Sequence, residues 1–542
     1  MRFLSLFALL GLAACSSPPF VQTPPPGEEP DSGKSPPSPI TGGGDSGVDA
    51  GADTQAPPPP PNCDTSKLPT DDACVVDEGV GVFVSSSLGG TQGDGSRAKP
   101  LASLQAGIAL AKATNRRVYA CAETYAEAIT LAESVSMFGY FDCAASWKVT
   151  SKHAGVLAPT SPAAIAKNVA QSTRVQAFDV IAPDVSAPSA SSIAFVALSA
   201  AGLELVDVKL HGGKAGNGSD GVDAVQLTDS ASKNGYAASG GYTCNPQTQL
   251  TCSSGPVVGA GASNACVGKG NWSGGTGGVA GSPGYAMGDF IGMPTHLAWV
   301  VKAVPSSGGA QPANASTALG GVDGVTVPVA GATGADGANG MAGGDVGTFD
   351  VSGGYKPASG SVGVDGAVGQ GGGGGAGHME PGPTPTFNYY WWGSRGGGGG
   401  AGGCPGLAAE IGGGGGASVG LLVMNGALRI SSSVVESSAG GAGGKAGKRS
   451  NPTAGGLGGP ANPASASPAQ AGANGGDGGK GGISGNGGGG PSFAIAYTNG
   501  APIVLATSLT PGSGGAGVAA RALIDHTIPA SASGKSAATY AF

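Results

Sequence analysis

One pattern occurs three times in this chain, and it sets narrow limits on the fold. In residues 417–444, ASVGLLVMNGALRISSSVVESSAGGAGG, an apolar run Val419–Met424 meets a turn at Asn425-Gly426. A short alternating segment, Leu428-Arg429-Ile430, follows, then polar Ser431–Ser433, then Val434-Val435 and a glycine-rich exit. Residues 192–216, SIAFVALSAAGLELVDVKLHGGKAG, and 491–517, PSFAIAYTNGAPIVLATSLTPGSGGAG, keep the same order. A two-strand unit this short cannot bury its apolar face alone, so the units must stack. The expectation is an all-β chain in which each unit is one coil of a parallel β-helix. Asn425 and Asn499 take the same place in successive units. Asn-Gly is turn chemistry, so the two side chains are expected to stack as a structural ladder.

Composition excludes several classes. Glycine accounts for 107 of 542 residues, about one in five against a usual ~7%. Apolar residues still make up 40% and charged residues only 11%, so the glycine is spread over something that also has a core. A net charge of −8 leaves no basic surface, which argues against nucleic acid as a partner. Nine cysteines suit an oxidising compartment. Proximity along the chain pairs eight of them: Cys63 with Cys74, Cys121 with Cys143, Cys244 with Cys252, and Cys266 with Cys404. Eight cysteines nevertheless permit 105 connectivities. There is no CxxC spacing and only five His are present, so no metal site is expected, and no cofactor motif is legible.

The N-terminus carries an address. Arg2 followed by the apolar run Phe3–Leu12 reads as a signal peptide over residues 1–14, too short to span a membrane as a mature helix. It ends Leu12-Ala13-Ala14-Cys15, which resembles the bacterial lipoprotein lipobox. The resemblance implies lipidation of Cys15 and a lipid-anchored chain, and Ser16 in place of Asp points to the outer membrane. Residues 15–62 read as a tether. Pro24–Pro26 and Pro57–Pro61 are stiff extended segments, and the acidic run GGGDSGVDAGAD at 42–53 is flexible and lacks the spacing of a calcium loop.

Folded structure is expected from Cys63. Val80–Ser85 reads as a strand, LGGTQGDGSRAK at 88–99 as a turn-rich loop, and Pro100 as the opening of a helix over Leu101–Ala113. Strands follow at Arg117–Cys121, Ala128–Leu131 and Val135–Tyr140, and Arg174–Ile181, RVQAFDVI, reads as one further strand. The order over 82–113, strand FVSSS, a GT…GDGS loop, then PLASLQAGI, resembles the start of pectin-lyase-like right-handed β-helix proteins. The resemblance implies a right-handed parallel β-helix with an N-terminal capping helix. It implies no activity, since that superfamily holds lyases, hydrolases and adhesins.

Two long stretches interrupt the repeats at one point of the unit: 212–416 and 440–490. Within them glycine recurs every third residue, as in Gly331, Gly334, Gly337, Gly340 and Gly343, and in Gly472, Gly475, Gly478 and Gly481. Period three fits extended helices with three residues per turn, packed side by side as in polyglycine II, and an irregular loop is equally open. In composition these stretches resemble PGRS-type glycine-rich surface proteins. The domain plan is therefore signal peptide 1–14, tether 15–62, cap and first coils 63–211, insertion 212–416, coil 417–439, insertion 440–490, and last coils with a C-terminal cap 491–542.

No catalytic constellation is legible. His153, His211, His296, His378 and His526 are scattered, and GxSxG or GxGxxG matches mean little in a chain this rich in glycine and serine. The repeats offer Glu204, Asp207, Lys209 and His211 in one coil and Arg429 in the next, with Ser431, Ser432 and Ala506 on neighbouring coils. The densest aromatic cluster is Phe387-Asn388-Tyr389-Tyr390-Trp391-Trp392, with Arg395 beside it and His378 and Glu380 upstream. Tyr389, Tyr390, Trp391, Trp392 and Arg395 form either a ligand-binding patch for sugar rings or the insertion's own small core. The reading adopted is a non-catalytic cell-surface lipoprotein, structural or adhesive, with polysaccharide or other cell-surface proteins as partners. The alternative is a carbohydrate-active lyase or hydrolase, so the enzyme question stays open.

Overall fold

Alternation of apolar and polar residues dominates 117–212, and the chain turns it into parallel sheets. The structure, a computed structural model, describes residues 58–90, 92–238, 260–270, 272–277, 327–375, 396–461 and 469–542, with backbone alone at 243–244, 252–253, 378–379 and 393–394. All lie in the unit 55–542. Among the described residues, the first sheet pairs Gly81–Val84, Arg117–Cys121, Met137–Asp142, Thr173–Gln176, Leu203–Val206, Arg429–Ser431 and Ile503–Leu505 in parallel, with the short Lys148–Val149 antiparallel beside Met137–Asp142. The second pairs Thr124–Tyr125, Ala154–Leu157, Phe178–Ile181, Lys209–Gly212, Val434–Ser437 and Ser508–Thr510. The third pairs Ile129–Leu131, Ala164–Lys167, Ser192–Leu198, Ser418–Met424, Ser492–Thr498 and Ser536–Ala541. From Arg117 onward the chain visits first, second and third sheet in turn and then returns. This predominantly β, parallel arrangement is compatible with a β-helix. Each repeat holds three strands, one more than the two-strand unit inferred from sequence.

The missed strand break has a backbone cause. Arg174–Ile181 is two strands on two sheets, because Ala177 at φ 59° turns the chain between them. Asp207, Ser432 and Ala506 stand at the same corner of later repeats with φ of 50°, 50° and 45°. The left-handed region costs a non-glycine residue roughly 1–2 kcal/mol, so nothing in an Ala or Ser advertises such a corner. The corner between third and first sheets uses Asn168, Ser199, Asn425 and Asn499 in the same conformation. There the expected ladder forms: Asn499 Nδ2 donates to Asn425 Oδ1 at 2.9 Å.

The helix runs Leu104–Ala113 and starts three residues later than Pro100 suggested. Leu101 is held by bridges to Val84 and Gly90 instead. Ser103 caps the helix through Ala106 N–H, and the Glu127 carboxylate accepts from Leu104 and Gln105 N–H, so the first-turn donors are satisfied only from Leu104 onward.

Two of the three sheets are covered outside as well as inside. The central strands of the third sheet, Ser192–Leu198 and Ser418–Met424, read as unbroken apolar runs because both of their faces are buried. The sheet's outer residues Ile193, Val196, Leu422 and Phe493 pack under Phe349 and Tyr355, from a hairpin inside the long insertion, and Phe493 stacks at 4.5 Å on Tyr540 of its last strand. The first sheet's N-terminal strands carry Phe83, Tyr119, Phe138 and Phe141 outward, closed over by Trp147, Leu68 and Val76. The second sheet's outer face has no such cover among the described residues.

The period-three glycine runs form an array of extended segments. Gly331, Gly334, Gly337, Gly340 and Gly343 donate their N–H to the carbonyls of 474, 477, 480, 483 and 486. Gly397, Gly400, Gly403 and Gly406 donate to 470, 473, 476 and 479, while Gly441, Gly444, Gly447, Gly456 and Gly459 donate to 416, 413, 410, 401 and 398. Each segment thus bonds neighbours on several sides, as polyglycine-II helices do and a flat sheet does not. Most of these glycines do not sit at positive φ; what they supply is room. A Cβ at Gly337 would land on the Val364 carbonyl oxygen, and one at Gly444 on that of Ser219. Where a segment is exposed, Asx side chains take up the remaining donors: Asn217, Asp220 and Asp223 accept from the N–H of Ala442, Lys445 and Lys448 at 2.7–2.8 Å.

Cysteines tie this together. Cys63 and Cys74 lie at disulfide distance with a Cα separation of 5.8 Å, Cys121 and Cys143 at 5.6 Å, and Cys266 and Cys404 at 5.7 Å. The first bond closes the segment leading into the first sheet. The second ties the end of Arg117–Cys121 to the residue just after Met137–Asp142, its neighbour in that sheet. The third joins two segments of the glycine array. The backbones of Cys244 and Cys252 face each other across a short antiparallel pair. Among the described residues no helix is long and apolar enough to cross a membrane.

Candidate functional site

The open face of the second sheet gathers ionisable side chains into columns. Inward positions such as Val156, Phe178, Val180, Leu210 and Val435 are apolar and buried, so the alternate positions face out. One outward column is Gly155, Asp179, Lys209, Val434 and Ser508; the next is Leu157, Ile181, His211, Glu436 and Thr510. At the corner beside the first column, His153 sits between two carboxylates, Nδ1 to Asp179 Oδ1 at 2.8 Å and Nε2 to Asp207 Oδ2 at 3.4 Å. In the second column, His211 Nδ1 lies 3.5 Å from Glu436 Oε2, and its Nε2 lies 3.2 Å from Ser438 Oγ. The Nδ1 atom is itself buried and lacks an aligned hydrogen bond, while about a third of each of His211 and Glu436 stays exposed. Ser438 is held in place by its own N–H, which donates to Gly212 carbonyl at 2.8 Å. Next to it, Ala439 and Gly440 help line a concavity of about 410 Å³ with Asp184, Lys214 and Asn217.

The structure redistributes the residues singled out in the sequence. Glu204 and Arg429 belong to the first sheet, where Glu204 pairs with Arg174 at 2.9 Å and stands in register with Arg429. Asp207, Lys209 and His211 belong to the corner and the second sheet. Sequence reasoning missed His153 with Asp179, and Glu436 and Ser438 with His211. The second pairing had a signal: aligning KLHG at 209–212 with VVES at 434–437 puts His211 over Glu436. Lys209 stands in register with Asp179, so like charges are not stacked. Cys74 and Cys143 are half-buried, and each is bonded to its partner, Cys63 and Cys121, so neither offers a thiol for chemistry. Their part is structural, as is that of Cys266 and Cys404. Cys15, Tyr389, Tyr390, Trp391, Trp392 and Arg395 lie outside the described residues, as do the side chains of Cys244 and Cys252. No group of three His, Cys, Asp or Glu among the described residues could hold a metal ion.

A second polar cluster lies inside the glycine array and is structural. Asp229 accepts from Lys233 Nζ at 2.6 Å, Asn264 Nδ2 at 2.8 Å and Thr453 Oγ1, beside the sulfur of Cys404. Burial pushes the Asp229 carboxyl up, but the hydrogen bonds from Lys233, Thr453 and Asn264 outweigh it and hold it below its ordinary 3.8. Its contribution to stability is therefore complete above that value and fades as pH falls through the lower folded-state value. An Asp229→Ala variant is expected to be less stable at neutral pH and to show a flatter loss of stability below pH 3.8. Acid titration of the denaturation midpoint checks this, and parallel acid limbs in the two proteins would contradict it.

Neither a family model, nor a curated protein, nor a solved structure matches this chain.

Proposed function

We propose that this is a lipid-anchored surface protein of the outer membrane, structural or adhesive, built as a right-handed parallel β-helix that displays a stiff glycine-rich slab. The observation that carries the reading is the array itself. Its glycines spend their N–H groups on neighbouring segments, so a stretch with almost no side-chain core is held together through its backbone and leaves the non-glycine positions of its outer segments, as in 331–343, to face outward. Such a slab suits display and contact better than it suits a closed reaction site. The Leu-Ala-Ala-Cys sequence ending at Cys15 supports the anchor, and the proline-rich tether supports projection away from a lipid surface.

Two measurements test this. Radiolabelled palmitate should enter the wild-type chain and not Cys15→Ala, which should leave the membrane fraction; an unlabelled wild type contradicts the anchor. On an array of envelope glycans, a fragment from Cys63 onward should bind. A Trp391→Ala/Trp392→Ala variant that melts normally but no longer binds would place recognition on the aromatic cluster. Absence of binding by the unaltered fragment to any envelope component contradicts the adhesive half of the reading.

A further inference from the structure

The second sheet's open face carries more than a scaffold requires. We propose that Ser438, His211 and Glu436 form an acyl-transfer centre that hydrolyses short-chain acyl esters of a polar carrier. This goes beyond the structural reading above and does not depend on the anchor or on glycan binding.

The geometry has the connectivity such chemistry needs. The hydroxyl of Ser438 meets Nε2 of His211 at 3.2 Å, and the carboxylate of Glu436 faces the opposite ring nitrogen at 3.5 Å. A serine is a weak nucleophile until a base takes its proton, and the base works best when a third group orients it. His211 and Glu436 are register partners on two strands, 225 positions apart, and Ser438 follows directly on the second strand. The buried, unpaired Nδ1 is the second observation. Leaving a buried ring nitrogen unsatisfied costs free energy, and a small shift of Glu436 would satisfy it. In unliganded sites such contacts are often long and tighten when substrate binds.

The neighbouring concavity narrows the substrate class. Its charged and amide groups, Asp184, Lys214 and Asn217, suit a hydroxyl-rich carrier, and its apolar lining consists of the short side chains of Val185, Ala215 and Ala439. That leaves no groove for a long acyl chain and points to acetyl-sized esters. In the reaction, Ser438 Oγ bonds to the acyl carbon while its proton passes to His211 Nε2. The carrier alcohol leaves with that proton. Water then attacks the acyl-serine, giving a proton to Nε2 and its hydroxyl to the acyl carbon. The acyl–Oγ bond breaks and Ser438 recovers its proton. The products are a carboxylic acid and an alcohol, and no cofactor is consumed.

The test uses the full chain with a fluorophosphonate probe and with 4-nitrophenyl acetate and octanoate. Wild type is expected to carry the probe on Ser438 by peptide mapping, and to hydrolyse the acetate faster than the octanoate. Ser438→Ala should lose both signals, and His211→Gln should slow labelling by at least about a hundredfold. Glu436→Gln should slow it less, since an orienting acid alone contributes less than the base. No adduct on Ser438 in the wild-type protein overturns the proposal whatever the variants do. So does an equal labelling rate in His211→Gln, while a faster octanoate reaction overturns the assigned substrate class.

Discussion

Replacing Gly402 with alanine is expected to destabilise the folded unit by about 3 kcal/mol, the upper end of what overpacking a tight interior costs. Gly402 is buried in the array, donates its N–H to the Gly275 carbonyl at 2.8 Å, and accepts from Asn264 Nδ2 at 3.0 Å. An added Cβ would fall on the Gly369 carbonyl oxygen and sit 3.0 Å from Gly275 N. Both obstacles are backbone, so no side chain can swing aside. The neighbouring Ala401 is also fully buried yet carries its methyl without conflict. The requirement is therefore set by position in the triplet, not by burial. An exposed, non-glycine position of the same kind of triplet, tested as Ala335→Ser, should stay within about 0.5 kcal/mol of wild type. Chemical denaturation of the two variants decides the matter. Equal midpoints would mean that the segments are not packed backbone to backbone.

Excising residues 440–490 is the second large effect. From sequence, both ends of this insertion leave one corner of the repeat, so its removal is expected to leave the repeats folded. The structure retains the corner: Ser437 and Ser492 hydroxyls meet at 2.9 Å, and Ser492 Oγ donates to Ser438 carbonyl at 2.6 Å. It also shows that the insertion is no appendage. Carbonyls of 470–486 accept the N–H groups of 331–343 and 397–412, and glycines of 441–459 bond to 398–416. Removing it strips one side of each neighbouring segment. The parallel sheets are expected to persist, because the pairing of Ser192–Leu198 with Ser418–Met424 lies outside the excised stretch. Amides of 397–415 should lose about a hundredfold of their protection from hydrogen exchange, or ~2.8 kcal/mol at 1.4 kcal/mol per tenfold. Array amides that stay protected would show that the remaining segments hold together unaided. Sheet amides that exchange equally fast would show that sheets and array fold as one.

Much of this architecture is written locally. The apolar runs at 192–198, 418–424 and 492–498 mark the doubly buried third sheet, because burial on both faces removes the need for alternation. Asn425 and Asn499 announce their corner, since asparagine tolerates the left-handed conformation. Ala177, Asp207, Ser432 and Ala506 make an equivalent corner silently, because their conformation is imposed by the strands on either side. The helix start moved for a similar reason: Glu127, distant in sequence, satisfies the first-turn donors.

By itself, then, the sequence determined the repeats, the three-residue glycine period and the nearness of the cysteines now at disulfide distance. The repeats and the period depend on residues a few positions apart, and two of the cysteine pairs on separations of only 11 and 22 residues, Cys63 with Cys74 and Cys121 with Cys143. Only the tertiary structure decided which carbonyl each glycine meets, which sheet faces are roofed, and that His211 stands between Glu436 and Ser438. Those contacts join residues up to 227 positions apart, and their register is set by where the chain returns after each insertion. A local period can say that glycine must leave room; it cannot say for whom.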